Sequence, residues 1–221
     1  MITKDEVRRR ITEIGIVPVV RASSPLEARI AIEAVCLGGI RVVEITMTVP
    51  GAVDIIREVL KSHGPDLLVG AGTVLDAESA RRCLDAGAQF LVSPGFDLKT
   101  VELANKEGVL VMPGSLTPTE IVAAWNAGAD FVKVFPCGNV GGPKYIKALK
   151  GPLPQIPLIP TGGVTLENAA EFILAGSEAL GIGGELVNTA ALRAGRPELV
   201  TELARKFVEI VKNARAQAAS A

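Results

Sequence analysis

Gly39-Ile40-Arg41-Val42-Val43-Glu44 and Gly128-Ala129-Asp130-Phe131-Val132-Lys133 share one pattern: a glycine, a short apolar run, then an ionisable residue. Gly87-Ala88-Gln89-Phe90-Leu91-Val92-Ser93-Pro94 and Gly108-Val109-Leu110-Val111-Met112-Pro113 repeat it with other endings. Glycine suits the left-handed residue that closes a helix, so each run follows a helix and starts a strand. The runs are short and continuously apolar, as parallel strands covered on both faces require. Working outward, strands are expected at 16–20, 40–44, 67–71, 89–92, 109–112, 130–133, 156–160 and 179–182. Helical patterns fill 3–14, 25–38, 51–62, 76–86, 97–107, 117–127, 143–149, 165–175 and 196–217. Pro25, Pro50, Pro118 and Pro143 stand near helix starts, where a missing N–H costs nothing. The end of the last helix, Ala214 to Ala221, is expected to fray.

Eight strand–helix units in 221 residues allow about 28 residues each. That suits a single α/β domain over 1–221, a (β/α)8 TIM barrel with short loops and an extra N-terminal helix. An open doubly wound sheet is the other arrangement, but no Gly-x-Gly-x-x-Gly follows the first strand.

Composition excludes several classes of function. Apolar residues make up 48% of the chain, enough for a sizeable core. The 23 Lys and Arg balance 24 Asp and Glu, and there is one Tyr and one Trp, which gives no support to a nucleic-acid partner. Cys36, Cys83 and Cys137 fit neither a disulfide framework nor a zinc site and read as reduced cytoplasmic thiols. His63 is the single histidine, so a cage of two or more histidines around a metal is excluded. No apolar run approaches the roughly 18 residues of a membrane span, so no membrane partner is expected. Arg8 to Arg10 precede a short apolar stretch, but Asp5, Glu6, Glu13 and Pro18 make it a surface helix entering a strand, not a signal peptide.

In such barrels chemistry gathers at the carboxyl ends of the strands. Those ends carry Arg21, Glu44, Thr73, Ser93-Pro94, Pro113-Gly114, Lys133, Thr161-Gly162-Gly163 and Gly183-Gly184. Glu44 and Lys133 hold the same phase on the second and sixth strands, so both side chains are expected to point inward and meet near the axis. A lysine among Phe131, Val132, Val134 and Phe135 is desolvated, which frees its amine to attack carbonyls. A carboxylate opposite can move protons. The same two residues also suit a buried ion pair that only fixes the core. Pro160-Thr161-Gly162-Gly163 and Gly181-Ile182-Gly183-Gly184 end the seventh and eighth strands, the two loops where barrels bind phosphate on bare amides, although glycine pairs also make tight turns. Thr73 either lines a pocket or caps a turn. Arg21 either holds a substrate carboxylate or makes a surface salt bridge.

Seven motifs in order resemble the class I 2-keto-3-deoxy-6-phosphogluconate (KDPG) / 4-hydroxy-2-oxoglutarate (KHG) aldolase family. They are Val43-Glu44-Ile45-Thr46, Gly70-Ala71-Gly72-Thr73-Val74, Val92-Ser93-Pro94-Gly95, Met112-Pro113-Gly114, Lys133-Val134-Phe135-Pro136, Pro160-Thr161-Gly162-Gly163 and Gly183-Gly184, and the likeness spans about 15–186. The resemblance implies a cytoplasmic homotrimer that needs no metal or other cofactor and acts on small 2-keto acids and aldehydes. It implies cleavage of KDPG to pyruvate and glyceraldehyde 3-phosphate, as in the Entner–Doudoroff route, and/or of KHG to pyruvate and glyoxylate. Lys133 would form the Schiff base and Glu44 would shuttle protons. Thr73, Pro94 and Phe135 would shape the pyruvate pocket, Thr161 would meet substrate hydroxyls, and the amides of Gly162, Gly163, Gly183 and Gly184 would bind phosphate. Two positions depart from the family pattern. Thr48 stands where many members have an arginine for the pyruvate carboxylate, which leaves Arg21 as the replacement. Glu185 stands where many have a serine at the phosphate. Two other functions stay open on the residues alone: a phosphate-binding isomerase or epimerase using Glu44 without a covalent lysine, and a non-catalytic trimeric scaffold.

Overall fold

The computed structural model describes residues 2–220. Its strands are β1 (Ile16–Val20), β2 (Val42–Thr46), β3 (Leu68–Gly72), β4 (Phe90–Val92), β5 (Leu110–Met112), β6 (Gly114–Ser115), β7 (Val132–Val134), β8 (Leu158–Pro160) and β9 (Leu180–Ile182). The helices are α1 (Lys4–Ile14), α2 (Pro25–Leu37), α3 (Ala52–His63), α4 (Ala77–Asp85), α5 (Leu98–Lys106), α6 (Pro118–Asn126), α7 (Pro143–Lys150), α8 (Ala169–Leu174), α9 (Thr189–Arg193) and α10 (Glu198–Ala219). All pairings among the described residues are parallel, in the orders β5-β4-β3-β2-β1-β9 and β6-β7-β8. The strand expected at 109–112 and its continuation divide into β5 and β6 at Pro113, which has no N–H for the ladder. Thr161 bridges Gly181, linking the end of β8 to β9. The architecture is therefore α/β with parallel sheets.

Each strand sorts its residues by the period-2 alternation. Val42, Phe131 and Ile159 join one buried cluster with Leu68, Phe90 and Leu110, whereas Val43, Ile45, Val132 and Val134 pack outward into a second, larger cluster with the helices. Glu44 and Lys133 follow Val42 and Phe131 by two residues, which puts them on the inner side. α1 covers the amino end of the inner cluster with Val7 and Ile11, and Lys4 and Arg8 pair at 2.9 Å with the buried Asp130. Thr3 starts that helix by accepting from the Glu6 N–H. Among the described residues, no helix is long and apolar enough to cross a membrane.

Several elements differ from those expected. The strand placed at 40–44 starts at Val42, because the Ile40 N–H donates to the Val35 carbonyl beyond Gly39 (φ 95°) and so belongs to the closure of α2. The helix expected at 165–175 covers only Ala169–Leu174, since Asn168 accepts from the Thr165 N–H and holds a turn before it. The short helix α9 is additional, capped by Asn188 accepting from the Ala191 N–H. The chain expected to fray from Ala214 is instead helical to Ala219. Ala214 is buried, and Arg215 donates to the carbonyls of Glu13 and Glu178, both at 2.8 Å. His63 ends α3 half-buried, with its Nε2 at 3.0 Å from Glu33.

Candidate active site

At the carboxyl ends of the strands lies a cavity of about 320 Å3. Its wall brings together Arg21 after β1, Thr73 after β3, Pro94 after β4, Lys133 on β7, Phe135 after it, Thr161-Gly162-Gly163 after β8 and Gly183-Gly184 after β9. Glu185 lines it too, as do Val19, Val164 and Gly181, which had no polar signal in the sequence. A larger hollow of about 700 Å3 between α2 and α10 holds no residue from a strand end.

Lys133 is 7% exposed, and its Nζ lies 5.3 Å from the centre of the Phe135 ring. Its backbone N–H donates to Pro113 and its register partners are Gly114 and Ile159. Its lateral neighbours on the adjacent strands are thus Gly114, which has no side chain, and the apolar Ile159.

Glu44 is 2% exposed and is not on the cavity wall. It sits against Gly72, one residue before Thr73; a Cβ on Gly72 would fall 1.8 Å from its Oε1. That oxygen has no hydrogen-bond partner. Burial pushes the Glu44 carboxyl above the usual carboxylate range, and the charges of Lys133 and Arg21 oppose the rise. No ion pair joins Glu44 to Lys133 among the described residues.

Thr73 has φ 57° and is the non-glycine with a left-handed backbone among the described residues. A β-branched residue pays strain for that conformation, and strained residues cluster where a side chain must be aimed. Thr73 lines the cavity. Arg21 is exposed at the rim with no hydrogen bond or ion pair among the described residues, so it is free to meet an anion. Thr48 hydrogen-bonds to Thr46 at 2.7 Å and does not reach the cavity wall. Thr161 is buried, and Gly181 leaves space for it, since a Cβ there would be 2.1 Å from the threonine Oγ1. Gly162, Gly163, Gly183 and Gly184 line the cavity, and their N–H groups find no backbone acceptor among the described residues. Among those residues no group of three or more His, Cys, Asp or Glu is placed to hold a metal ion.

The family model for KDPG and KHG aldolase matches residues 7–203. The KHG/KDPG aldolase of Escherichia coli strain K12 is 37% identical over 203 residues, which cover 91% of this chain and 94% of the relative. The 2-dehydro-3-deoxy-phosphogluconate aldolase of Treponema pallidum is 36% identical over 96% of this chain and 99% of its own. The solved KDPG aldolase of Legionella pneumophila, with pyruvate captured as a covalent carbinolamine, superimposes with a TM-score of 0.83 at 29% identity, covering 90% of this chain and 96% of that one.

Proposed function

Because the chain belongs to the KDPG and KHG aldolase family and is a Schiff-base aldolase, we propose that Lys133 forms the imine and Glu44 moves the protons. The substrates are KDPG, giving pyruvate and glyceraldehyde 3-phosphate, and/or KHG, giving pyruvate and glyoxylate. The observation that carries the assignment of residues is the buried Lys133 amine on the wall of a cavity whose carboxylate neighbour, Glu44, is buried with an unpartnered oxygen.

The Lys133 amine adds to the C2 ketone, and loss of water from the carbinolamine gives an iminium. Glu44 takes the C4 hydroxyl proton through a water, the C3–C4 bond breaks, and its electron pair is drawn into the iminium as an enamine. The aldehyde leaves. Glu44 returns its proton to C3, and water hydrolyses the imine, releasing pyruvate and the free amine. Glu44 acts as base and then as acid, which suits a carboxyl lifted from its ordinary range. Arg21 and Thr73 hold the pyruvyl carboxylate, Pro94 and Phe135 pack on the pyruvyl group, and Thr161 meets a substrate hydroxyl. The amides of Gly162, Gly163, Gly183 and Gly184 take the far end of the substrate. Reduction with borohydride in the presence of pyruvate, followed by peptide mapping, is expected to leave one reduced pyruvyl adduct on Lys133. An unmodified Lys133 would return the site to an isomerase using Glu44 alone.

Two variants probe the supporting residues. Gly72→Ala is expected to push the Glu44 carboxylate from its place and slow turnover at least about 10²-fold, the low end for a lost acid–base group, while Lys133 still traps pyruvate. Arg21→Ala is expected to raise the KM of keto-acid substrates roughly tenfold, as for a lost charge-assisted hydrogen bond, with a smaller effect on kcat. An unchanged KM would put the carboxylate elsewhere.

The fold we propose for the whole is a closed (β/α)8 barrel. Three features support it: the Thr161–Gly181 bridge, the near-continuity of β5 and β6 across Pro113, and α1 as the extra helix over the amino end. We also take the enzyme to be a cytoplasmic homotrimer. Exposed Leu75, Phe96 and Leu98, which follow β3 and β4, offer apolar surface for such an assembly.

A further inference from the structure

We infer that Asn168 is a positioning residue for the phosphate end of the substrate, because its carboxamide fixes the turn that aims the amides of the loop after β8. The inference rests on the aldolase function and on the placing of the substrate's far end proposed above. Three successive carbonyls of that loop are held. The Cys137 N–H donates to the Thr161 carbonyl at 3.0 Å, and the Gly138 N–H donates to the Gly162 carbonyl at 2.8 Å. The Gly163 carbonyl has no backbone donor among the described residues, and the Asn168 Nδ2 donates to it at 2.8 Å instead. The Asn168 Oδ1 accepts from the Thr165 N–H, also at 2.8 Å, so both ends of the carboxamide are engaged.

In a trans peptide the N–H points opposite to the carbonyl of the same unit. Holding these three carbonyls therefore sets the directions of the Gly162, Gly163 and Val164 N–H groups. None of the three finds a backbone acceptor among the described residues. Gly162, Gly163 and Val164 line the cavity, whereas Cys137, Gly138 and Asn168, which hold the carbonyls, do not. The carbonyls are anchored behind the wall, and the amides turn to its front. Gly162 and Gly163 take this path at φ 83° and 80°, a conformation that glycine adopts freely and does not hold by itself. Glu185, on the same wall, offers a phosphate no side-chain donor, which leaves more of the binding to these amides. Asn168 adds the Val164 N–H to them, a donor that residue type does not mark.

The test measures steady-state pyruvate release from KDPG and from its unphosphorylated form, which differ only at that end. Asn168→Ala removes both contacts. Asn168→Asp keeps an oxygen for the Thr165 N–H and sets the other against the Gly163 carbonyl. In each variant the KM for KDPG is expected to rise about tenfold with kcat within about twofold, as for a lost charge-assisted hydrogen bond. For the unphosphorylated acid, kcat/KM is expected to stay within about twofold. Thermal midpoints near the parent's and borohydride trapping of pyruvate show that the fold and Lys133 are intact. An equal loss on both substrates with a lowered midpoint would make Asn168 a structural residue of the turn and overturn the inference. A substrate ratio that moves in neither variant, or only in Asn168→Asp through its added charge, overturns it too and leaves the aldolase standing. No pyruvate from either substrate with the native enzyme, together with no trapping, overturns the aldolase function and this inference with it.

Discussion

Lys133→Ala is expected to abolish pyruvate release, with a loss of at least about 10⁴-fold, because no other group can supply the electron sink. The C3–C4 bond breaks only if its electron pair has somewhere to go, and the iminium on Nζ is that place. A second lysine cannot substitute, since Arg21 and Lys133 are the cations on the cavity wall and an arginine does not form the imine under these conditions. The variant must also fold. Lys133 makes no ion pair with Glu44 among the described residues, so its removal leaves no broken bond in the core, and Glu44 can take up a proton. Its thermal midpoint is therefore expected to stay close to the parent's. Borohydride trapping of pyruvate disappears with activity. A collapse of the fold without a defect in chemistry would instead mark Lys133 as a packing residue, and retained turnover would end the Schiff-base assignment.

Much of this site was legible in the sequence because one physical rule applied repeatedly. A helix-ending glycine fixes where a strand begins, and period-2 alternation then fixes which way each residue faces. Glu44 and Lys133 could be placed on the inner side of different strands for that reason alone. The rule misplaced the start of β2, because the Ile40 N–H turns back to Val35 before the strand begins. It also gave no warning of the split at Pro113, which depends on one missing N–H within an otherwise continuous run. The frayed tail was misread because Ala214 to Ala219 look featureless, while their order comes from Arg215 reaching carbonyls of Glu13 and Glu178 that are distant in the chain. Thr73 was undecided for the same kind of reason. Its left-handed backbone is imposed by surroundings and leaves no mark in residue type. The strand-end glycines were more informative. Gly72 and Gly181 proved to be spaces kept open for the Glu44 and Thr161 side chains.

Glu44→Gln is expected to lower kcat/KM by about 10²–10⁴-fold while leaving imine formation with pyruvate in place. The carboxamide keeps the shape of the carboxylate and can neither accept the C4 proton nor return it to C3. The pH dependence separates this from a positional effect. Burial raises the Glu44 pKa, so the acid limb of the native kcat/KM profile is expected above the ordinary carboxylate range and is expected to vanish in the variant. Stability must move the other way. A carboxyl whose folded pKa lies above its unfolded value favours the fold while protonated. That contribution is fully present below the unfolded pKa of about 4.3 and is lost as pH rises through the folded value. Above that value the native protein holds a buried charge that the glutamine lacks, and Glu44→Gln is expected to melt at the same temperature as the parent or higher. The difference closes near pH 4. A variant that is slower and equally or more stable at pH 7 identifies a carboxylate kept in the core for its chemistry. A variant that is slower and markedly less stable at both pH values would show that Glu44 holds the strands in place, and that the proton moves through another group.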